Sequence, residues 1–386
     1  MAIHNVKTYH EKSRSFYIDN LRLLIICLVV MVHLAVTYSG IGSWYFMDTT
    51  SLGAESMVFF GLFQSFTQAY FMGFMFLISG YFVVASYDKK GVKQFLKERF
   101  IRLGIPTLIY MLVINPFIVY ILIGNTWNRP GFFKYYLYYI LTLDFLGSSG
   151  PLWFAFALLL FNCVYAAYRS ITKNRPLPAA KGLPGRKDIL SVILLISASA
   201  FLIRLVQPID TSILNMQLCF FSQYVILFAF GIKAGRYDWF GKLPYSTGRK
   251  WLFAAILPGI LLWIVLMIAG GALDGGFDLY KGGLTWQSAA YALWESFISV
   301  AMSIGLIALF REKYNKQSGL VKAISDSSFT VYMFHAPIII TLSIIMTNIP
   351  MHPILKFMAA CLLGLPLSFA ISYYIIRRIP VLNKIL

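Results

Sequence analysis

Negative charge is scarce in this chain. Its 386 residues carry 15 Asp and Glu against 33 Lys and Arg, and charged residues of both signs make up only 12%. A surface that poor in charge does not suit a water-soluble protein of this length, and 59% hydrophobic residues point instead to a polytopic membrane protein. Cysteine is sparse as well. Cys27, Cys163, Cys219 and Cys361 all fall inside apolar runs, without metal-ligand spacing or a disulfide framework, so they read as small hydrophobes and no metal site is expected. A P-loop, a dinucleotide fingerprint and a GxSxG elbow are missing too, which removes the usual support for nucleotide-driven and hydrolase mechanisms. No repeat of fixed period and no low-complexity tail divide the chain, so residues 1–386 are expected to form a single transmembrane domain.

What is abundant is apolar sequence in long runs. A spanning helix needs about 20 mostly apolar residues. Such runs fall at 18–39, 57–86, 101–123, 151–168, 188–206, 214–232, 250–270, 287–310, 328–348 and 354–377, which predicts an all-α bundle of about ten transmembrane helices. The second run is long enough to tilt or protrude. A shorter, tyrosine-rich run from Phe132 to Phe145 holds Lys134 and Asp144 and reads as an interfacial segment. The basic tail before residue 16 precedes an apolar run too long for a signal-peptide core, with no small-residue cleavage site after it, so the first helix is expected to stay attached. The loop from Arg169 to Lys187, with Pro176, Pro178, Pro184, Gly182 and Gly185, reads as a flexible connection.

A net charge of +18 would suggest a nucleic-acid partner in a soluble chain, so the placement of the basic residues decides. Lys and Arg accumulate in cytoplasmic loops. Here the N-terminus and every second loop are basic, leaving only Arg129, Lys134, Arg204, Lys281 and Lys356 for the outer side. The pattern predicts a multi-pass protein of the plasma membrane with both termini cytoplasmic, membrane lipid as its surroundings and no nucleic-acid partner. An even number of spans is required by the basic C-terminus.

Polar residues inside the apolar runs are costly and mark function by default. The first run carries Asp19, Arg22 and His33. In a helix the eleven residues from Arg22 to His33 turn the chain about 1100°, close to three full turns, with about 16 Å of rise. Both side chains share one face at two depths, and Asp19, three residues before Arg22, can pair with it at the water boundary. His33 reads either as a proton acceptor or as a hydrogen-bonding residue between helices. Glu295, in the eighth run, lies at a depth similar to that of His33 and needs a partner. One reading has it orient a histidine for general-base catalysis; the other pairs it with Arg204 as a lock between helices. His335, in the ninth run, is either functional or held by one bond to a neighbouring backbone. His4, His10 and His352 lie in tails or a loop and receive no role.

Near the cytoplasmic side, Ser79-Gly80 in FLISGYF is a small pair that lets another backbone or a ligand come close. Arg99 and Arg102, three residues apart before Pro106, could grip a phosphorylated donor through their forked donors, or simply anchor the chain at the membrane. Trp153 could be no more than an interface aromatic.

Together these pieces resemble the acyltransferase-3 family of integral membrane O-acyltransferases. Arg22 and His33 match its R-x10-H signature, and residues 18–22 resemble its opening segment. Phe76 to Phe82 resembles F-x-x-S-G-Y/F, Arg99 to Pro106 resembles R-x-x-R-L-x-x-P, and Ser328 to Pro337 resembles the late Y-x-x-H-x-P segment. The resemblance implies transfer of acetyl or succinyl from cytoplasmic acyl-CoA to a hydroxyl of an extracytoplasmic glycan or glycolipid, with acyl-CoA as co-substrate and no permanently bound cofactor. It implies that Arg22 and His33 are essential, with His33 as the catalytic base. The donor would then lie against Arg22, Arg99 and Arg102, its arm passing Ser79 and His335. Asp19, Gly80, Tyr81 and Trp153 would orient or support the site, with Ser79, Tyr81 or Trp153 as candidate oxyanion donors. Where many members carry W-S-L-x-x-E, this chain reads Leu152-Trp153-Phe154-Ala155-Phe156, closer to the glucan-modifying branch, which leaves Glu295 to supply any acidic partner. The competing class is a transporter or flippase of a lipid-linked sugar with an intramembrane His/Glu proton relay, although matched broken helices in two inverted halves are not apparent.

Overall fold

In lipid every backbone polar group must be satisfied within the chain, and apolar runs answer by forming helices. The computed structural model describes residues 15–48, 52–124, 130–172, 182–380, 382 and 385, and among them it contains helices and no strand. His4, His10, Arg129, Pro176, Pro178 and Lys384 lie outside the described residues. The elements are α1 (Phe16–Ser39), α2 (Ala54–Gln68), α3 (Phe71–Arg99), α4 (Ile105–Ile109), α5 (Phe132–Leu141), α6 (Trp153–Ile171) and α7 (Arg186–Arg204). They continue with α8 (Phe221–Tyr237), α9 (Trp239–Lys242), α10 (Tyr245–Ala269), α11 (Trp286–Lys313), α12 (Gly319–Asp326), α13 (Ser328–Met346) and α14 (Pro353–Tyr374).

Eight helices among the described residues are long and apolar enough to cross a membrane, where the sequence predicts about ten. The difference lies in two places. One of the eight is the near-continuous stretch Ala54–Leu122, whose 69 residues hold both the 57–86 and the 101–123 runs. At 1.5 Å per residue that is roughly 100 Å of helix against a hydrocarbon core of roughly 30 Å. The other is α7, which is outside the set because Arg186, Lys187, Asp188 and Arg204 crowd its ends.

The Ala54–Leu122 stretch is broken where its sequence demands it. Between α2 and α3 the chain kinks at Ala69 and Tyr70, and the Gln223 amide of α8 donates to the Ala69 carbonyl at 2.7 Å. Gly91 sits at φ 70°, ψ 169°, a conformation open to glycine and strained for other residues. Beyond α3 the helix widens into π-helical turns at Phe100–Gly104, Tyr110–Ile114 and Phe117–Leu122. Pro116 has no N–H, so the carbonyls four and five residues before it, Leu112 and Met111, lose their helical donor. The hydroxyls of Tyr136 and Tyr139 on α5 supply replacements, at 3.1 Å and 2.6 Å. The aromatic segment is thus a ten-residue helix, too short to span, that satisfies the backbone of its neighbour.

Helix α1 lies at the centre, packed on α11, α13 and α14. Its start is pinned by the chain beyond α11: the Asn20 amide donates to the carbonyls of Tyr314 (2.7 Å) and Lys316 (3.1 Å), and the Tyr17 N–H to the Asn315 side chain. Helices α3 and α8 meet backbone to backbone. A Cβ on Gly80 would stand 2.2 Å from the Phe228 carbonyl oxygen, and one on Gly231 would stand 2.2 Å from that of Leu77. The partner that Gly80 admits is a helix. Without a hydrophobic force between helices in lipid, such close approach is what holds the pair.

Candidate active site

Because α1 runs unbroken from Phe16 to Ser39, Arg22 and His33 keep the spacing of a regular helix, about 16 Å apart along its axis. At the Arg22 end the guanidinium pairs with Asp19 (3.5 Å) and lies over the Phe82 ring, 5.0 Å from its centroid. Arg99 donates to the Ser86 hydroxyl at 3.1 Å and lies over Phe95, close enough to feel the charges of both Arg102 and Arg22. Three guanidiniums therefore gather at this end, with Arg102 exposed. Ser79, half-buried, precedes Gly80 on α3.

At the other end His33 sits among aromatic rings. The Trp44 indole lies 3.7 Å from it, centroid to centroid, with an interplanar angle of 18°. His335 lies 5.3 Å from His33 at 20°, and Trp44 to His335 is 6.4 Å at 8°. Those three separations make nearly a right angle at His33. Since Trp44 is at van der Waals distance over the face of His33, His335 must lie beside it, edge towards edge, in about the same plane.

The tautomer of His335 follows from its bonds. Nδ1 lies 3.1 Å from the Val331 carbonyl and 2.9 Å from that of Tyr332, and carbonyls only accept, so Nδ1 carries the hydrogen and Nε2 the lone pair. One bond to neighbouring backbone does hold this residue, but it accounts for one nitrogen. Nε2 is buried with no partner among the described residues.

Trp44 reaches His33 because α1 stops abruptly. Gly40, at φ 68°, caps the helix in the left-handed conformation and donates to the Val36 carbonyl. The chain then doubles back: Asp48 N–H donates to the Thr37 carbonyl at 2.9 Å, and Gln64 donates to the Ser39 hydroxyl at 2.8 Å. Asp48 also pairs with Lys356 of α14 at 2.6 Å, both side chains largely buried. Trp44 is the site residue that sequence reasoning misses, although Gly40 and Gly42 directly after the helix, followed by Trp44-Tyr45-Phe46, already signal a short aromatic turn near His33. Its neighbour Tyr45 donates to Asn115 at 2.7 Å, tying the turn to the π-helical segment.

Glu295 requires a correction. Its carboxylate meets Arg204 of α7 at 2.5 Å, and that guanidinium is wholly buried over the rings of Phe220 and Tyr291. The reading in which Glu295 orients a histidine gives way to the lock between α7 and α11. The physical reason is neutralisation: a buried carboxylate is compensated far better by a full positive charge than by a neutral imidazole. Tyr81 is likewise placed elsewhere, donating to Asp238 at 2.8 Å and stacked on Phe240. Trp153 stacks against Tyr224 at 5.8 Å at the start of α6, and Tyr332 donates to the nearby Pro151 carbonyl. Among the described residues no group of three His, Cys, Asp or Glu could hold a metal ion.

An apolar helical bundle with arginines gathered at one end of its central helix and a histidine cluster at the other sets the frame, and the chain belongs to the acyltransferase-3 family: the family's acyltransferase-domain model matches residues 15–373. It is a multi-pass membrane acyltransferase. Its relatives include the glucans biosynthesis protein C of Salmonella heidelberg (strain SL476) and that of Salmonella schwarzengrund (strain CVM19633), each 25% identical over 391 residues, covering 96% of this chain and 94% of the relative. The Salmonella typhi protein of the same name is also 25% identical over the same share of both chains. No solved structure matches.

Proposed function

We propose that the protein transfers an acyl group, acetyl or succinyl, from cytoplasmic acyl-CoA to a hydroxyl of an extracytoplasmic carbohydrate, with both termini in the cytoplasm and the site within the plasma membrane. The observation that carries this reading is the pairing on one uninterrupted helix of an arginine cluster with a histidine about 16 Å away. The coenzyme phosphates meet Arg22, Arg99 and Arg102, whose forks match phosphate oxygens. An extended pantetheine arm then passes Ser79 between α1, α3 and α13 and delivers the thioester to the His33 end, beside His335. His33 takes the proton of the acceptor hydroxyl as that oxygen attacks the thioester carbonyl, and the thiolate leaves inward. The relatives are named for glucan biosynthesis, which puts a glucan first among acceptors.

The transporter reading relied on an intramembrane His/Glu relay, and Glu295 is engaged by Arg204. To decide between the two, base-labile esters on envelope glycans would be compared by mass spectrometry in cells expressing the wild type or His33→Ala. A mass increment of an acyl group seen only with the wild type is the expected result. Identical ester patterns with both proteins folded would overturn the reading.

A further inference from the structure

Acyl transfer needs a hydrogen-bond donor for the oxygen that becomes negative, and two of the three donors named from the sequence are engaged elsewhere, while Ser79 lies on the path given to the donor arm. Tyr81 is committed to Asp238, and Trp153 packs on Tyr224. Trp44 Nε1 is different. It is a buried N–H with no acceptor among the described residues, on a ring that lies 3.7 Å from that of His33. Leaving such a donor unmade costs free energy comparable to a lost hydrogen bond, so it calls for an explanation, and a catalytic role is one that its place over His33 supports. An indole also carries donor capacity alone, so it favours an anion and cannot compete with His33 as a base.

Geometry supports the same assignment. The indole N–H lies in the plane of its ring, and that plane is nearly parallel to the imidazole of His33. The donor of one ring and the nitrogens of the other therefore sit in adjacent layers about one atomic thickness apart. A tetrahedral centre bridging the two layers can present one oxygen to each. The turn that carries the indole is closed by the latch already described, Asp48 on Lys356 and on the Thr37 carbonyl, and the indole itself packs on His33 and Tyr45, which favours a donor placed before the reaction begins.

We propose that Trp44 Nε1–H is the oxyanion donor of this site. The acceptor oxygen bonds to the thioester carbonyl carbon while its proton moves to His33. The carbonyl π pair shifts onto oxygen, where the indole N–H receives it. When C=O re-forms, the C–S bond breaks, and the thiolate takes the proton from His33. Atoms and charge balance without any further reactant. The inference rests on the acyl-transfer reading.

The test uses the purified full chain in lipid vesicles, acyl-CoA as donor and a glucan as acceptor. Two variants are compared with the wild type: Trp44→Phe, which keeps an aromatic face over His33, and replacement of Trp44 by benzothienylalanine, which keeps the shape of indole with sulfur in place of N–H. Both are expected to lower kcat by about a hundredfold or more, as loss of one oxyanion donor does, with donor affinity unchanged. A benzothienylalanine variant that turns over within about threefold of wild type would overturn the proposal, whatever Trp44→Phe does. So would a loss confined to donor affinity, which marks a packing role. If the wild type transfers no acyl group to any glucan, the acyl-transfer reading fails first and this inference falls with it.

Discussion

A histidine at each of two neighbouring positions raises the question of which nitrogen is free to work. His335 has spent Nδ1 on its own helix and keeps Nε2, whereas His33 has a ring covered on one face by Trp44 and flanked at its edge by His335. His335→Asn retains a short donor for the Val331 and Tyr332 carbonyls but removes the second nitrogen. It is therefore expected to fold and to bind donor, yet to turn over at least about tenfold more slowly, as loss of a proton-handling group does. Thermal unfolding in detergent beside a transfer assay separates the two effects. Wild-type turnover would reduce His335 to a packing residue. At the other end of α1, Arg22→Ala should weaken donor binding, because it removes one of three gathered guanidiniums, while leaving the His33 site intact.

Among elements, two contacts carry much of the bundle and neither needs to touch substrate. The first is the α7–α11 pair of Arg204 and Glu295. Breaking it from one side, by Glu295→Leu or Arg204→Met, should destabilise the protein by about 3–5 kcal/mol, since the remaining charge is left buried and alone. The double variant should recover most of that and keep transfer activity. If the stable double variant is inactive, Glu295 has a chemical role after all. The second is the α3–α8 contact. Gly80→Ala puts a methyl group against the Phe228 carbonyl and should cost about 1–3 kcal/mol by forcing the helices apart, whereas Ser79→Ala should leave stability unchanged, both read as shifts in melting temperature. Much of this level is legible in sequence where a local rule governs it. The period of a helix places Arg22 and His33 on one face, and the small pair Ser79-Gly80 announces a close approach. The break at Ala69–Tyr70 is not legible, because neither residue is a helix breaker and the stabilising amide comes from Gln223, 154 positions away. The partner of Glu295 is equally non-local: two candidates at similar depth were consistent with spacing, and packing chose the one with a full charge.

For the whole molecule, helical architecture follows from the apolar runs, since a continuous run of about 20 apolar residues bonds its own backbone in lipid as a helix, whereas barrel strands would alternate apolar with polar residues over about ten. The outline of the site follows from depth along α1. What composition cannot convey is how the chain returns over its own helix, which is why Trp44 emerges only once the turn after Gly40 is folded and Asp48 has met Lys356. Loosening that latch by Lys356→Met should leave donor binding intact and lower turnover, because the ring over His33 is no longer held. Equal turnover in the variant would detach the turn from the chemistry.

The proposed mechanism divides donor binding and chemistry between the two ends of α1. It is tested most directly by measuring acyl-CoA binding and acyl transfer to a glucan on the same vesicle preparations of wild type, Arg22→Ala and His33→Ala. His33→Ala is expected to bind the donor as wild type does and to transfer nothing, while Arg22→Ala binds it more weakly. Loss of donor binding to the same extent in both variants, or transfer that survives in His33→Ala, would contradict it.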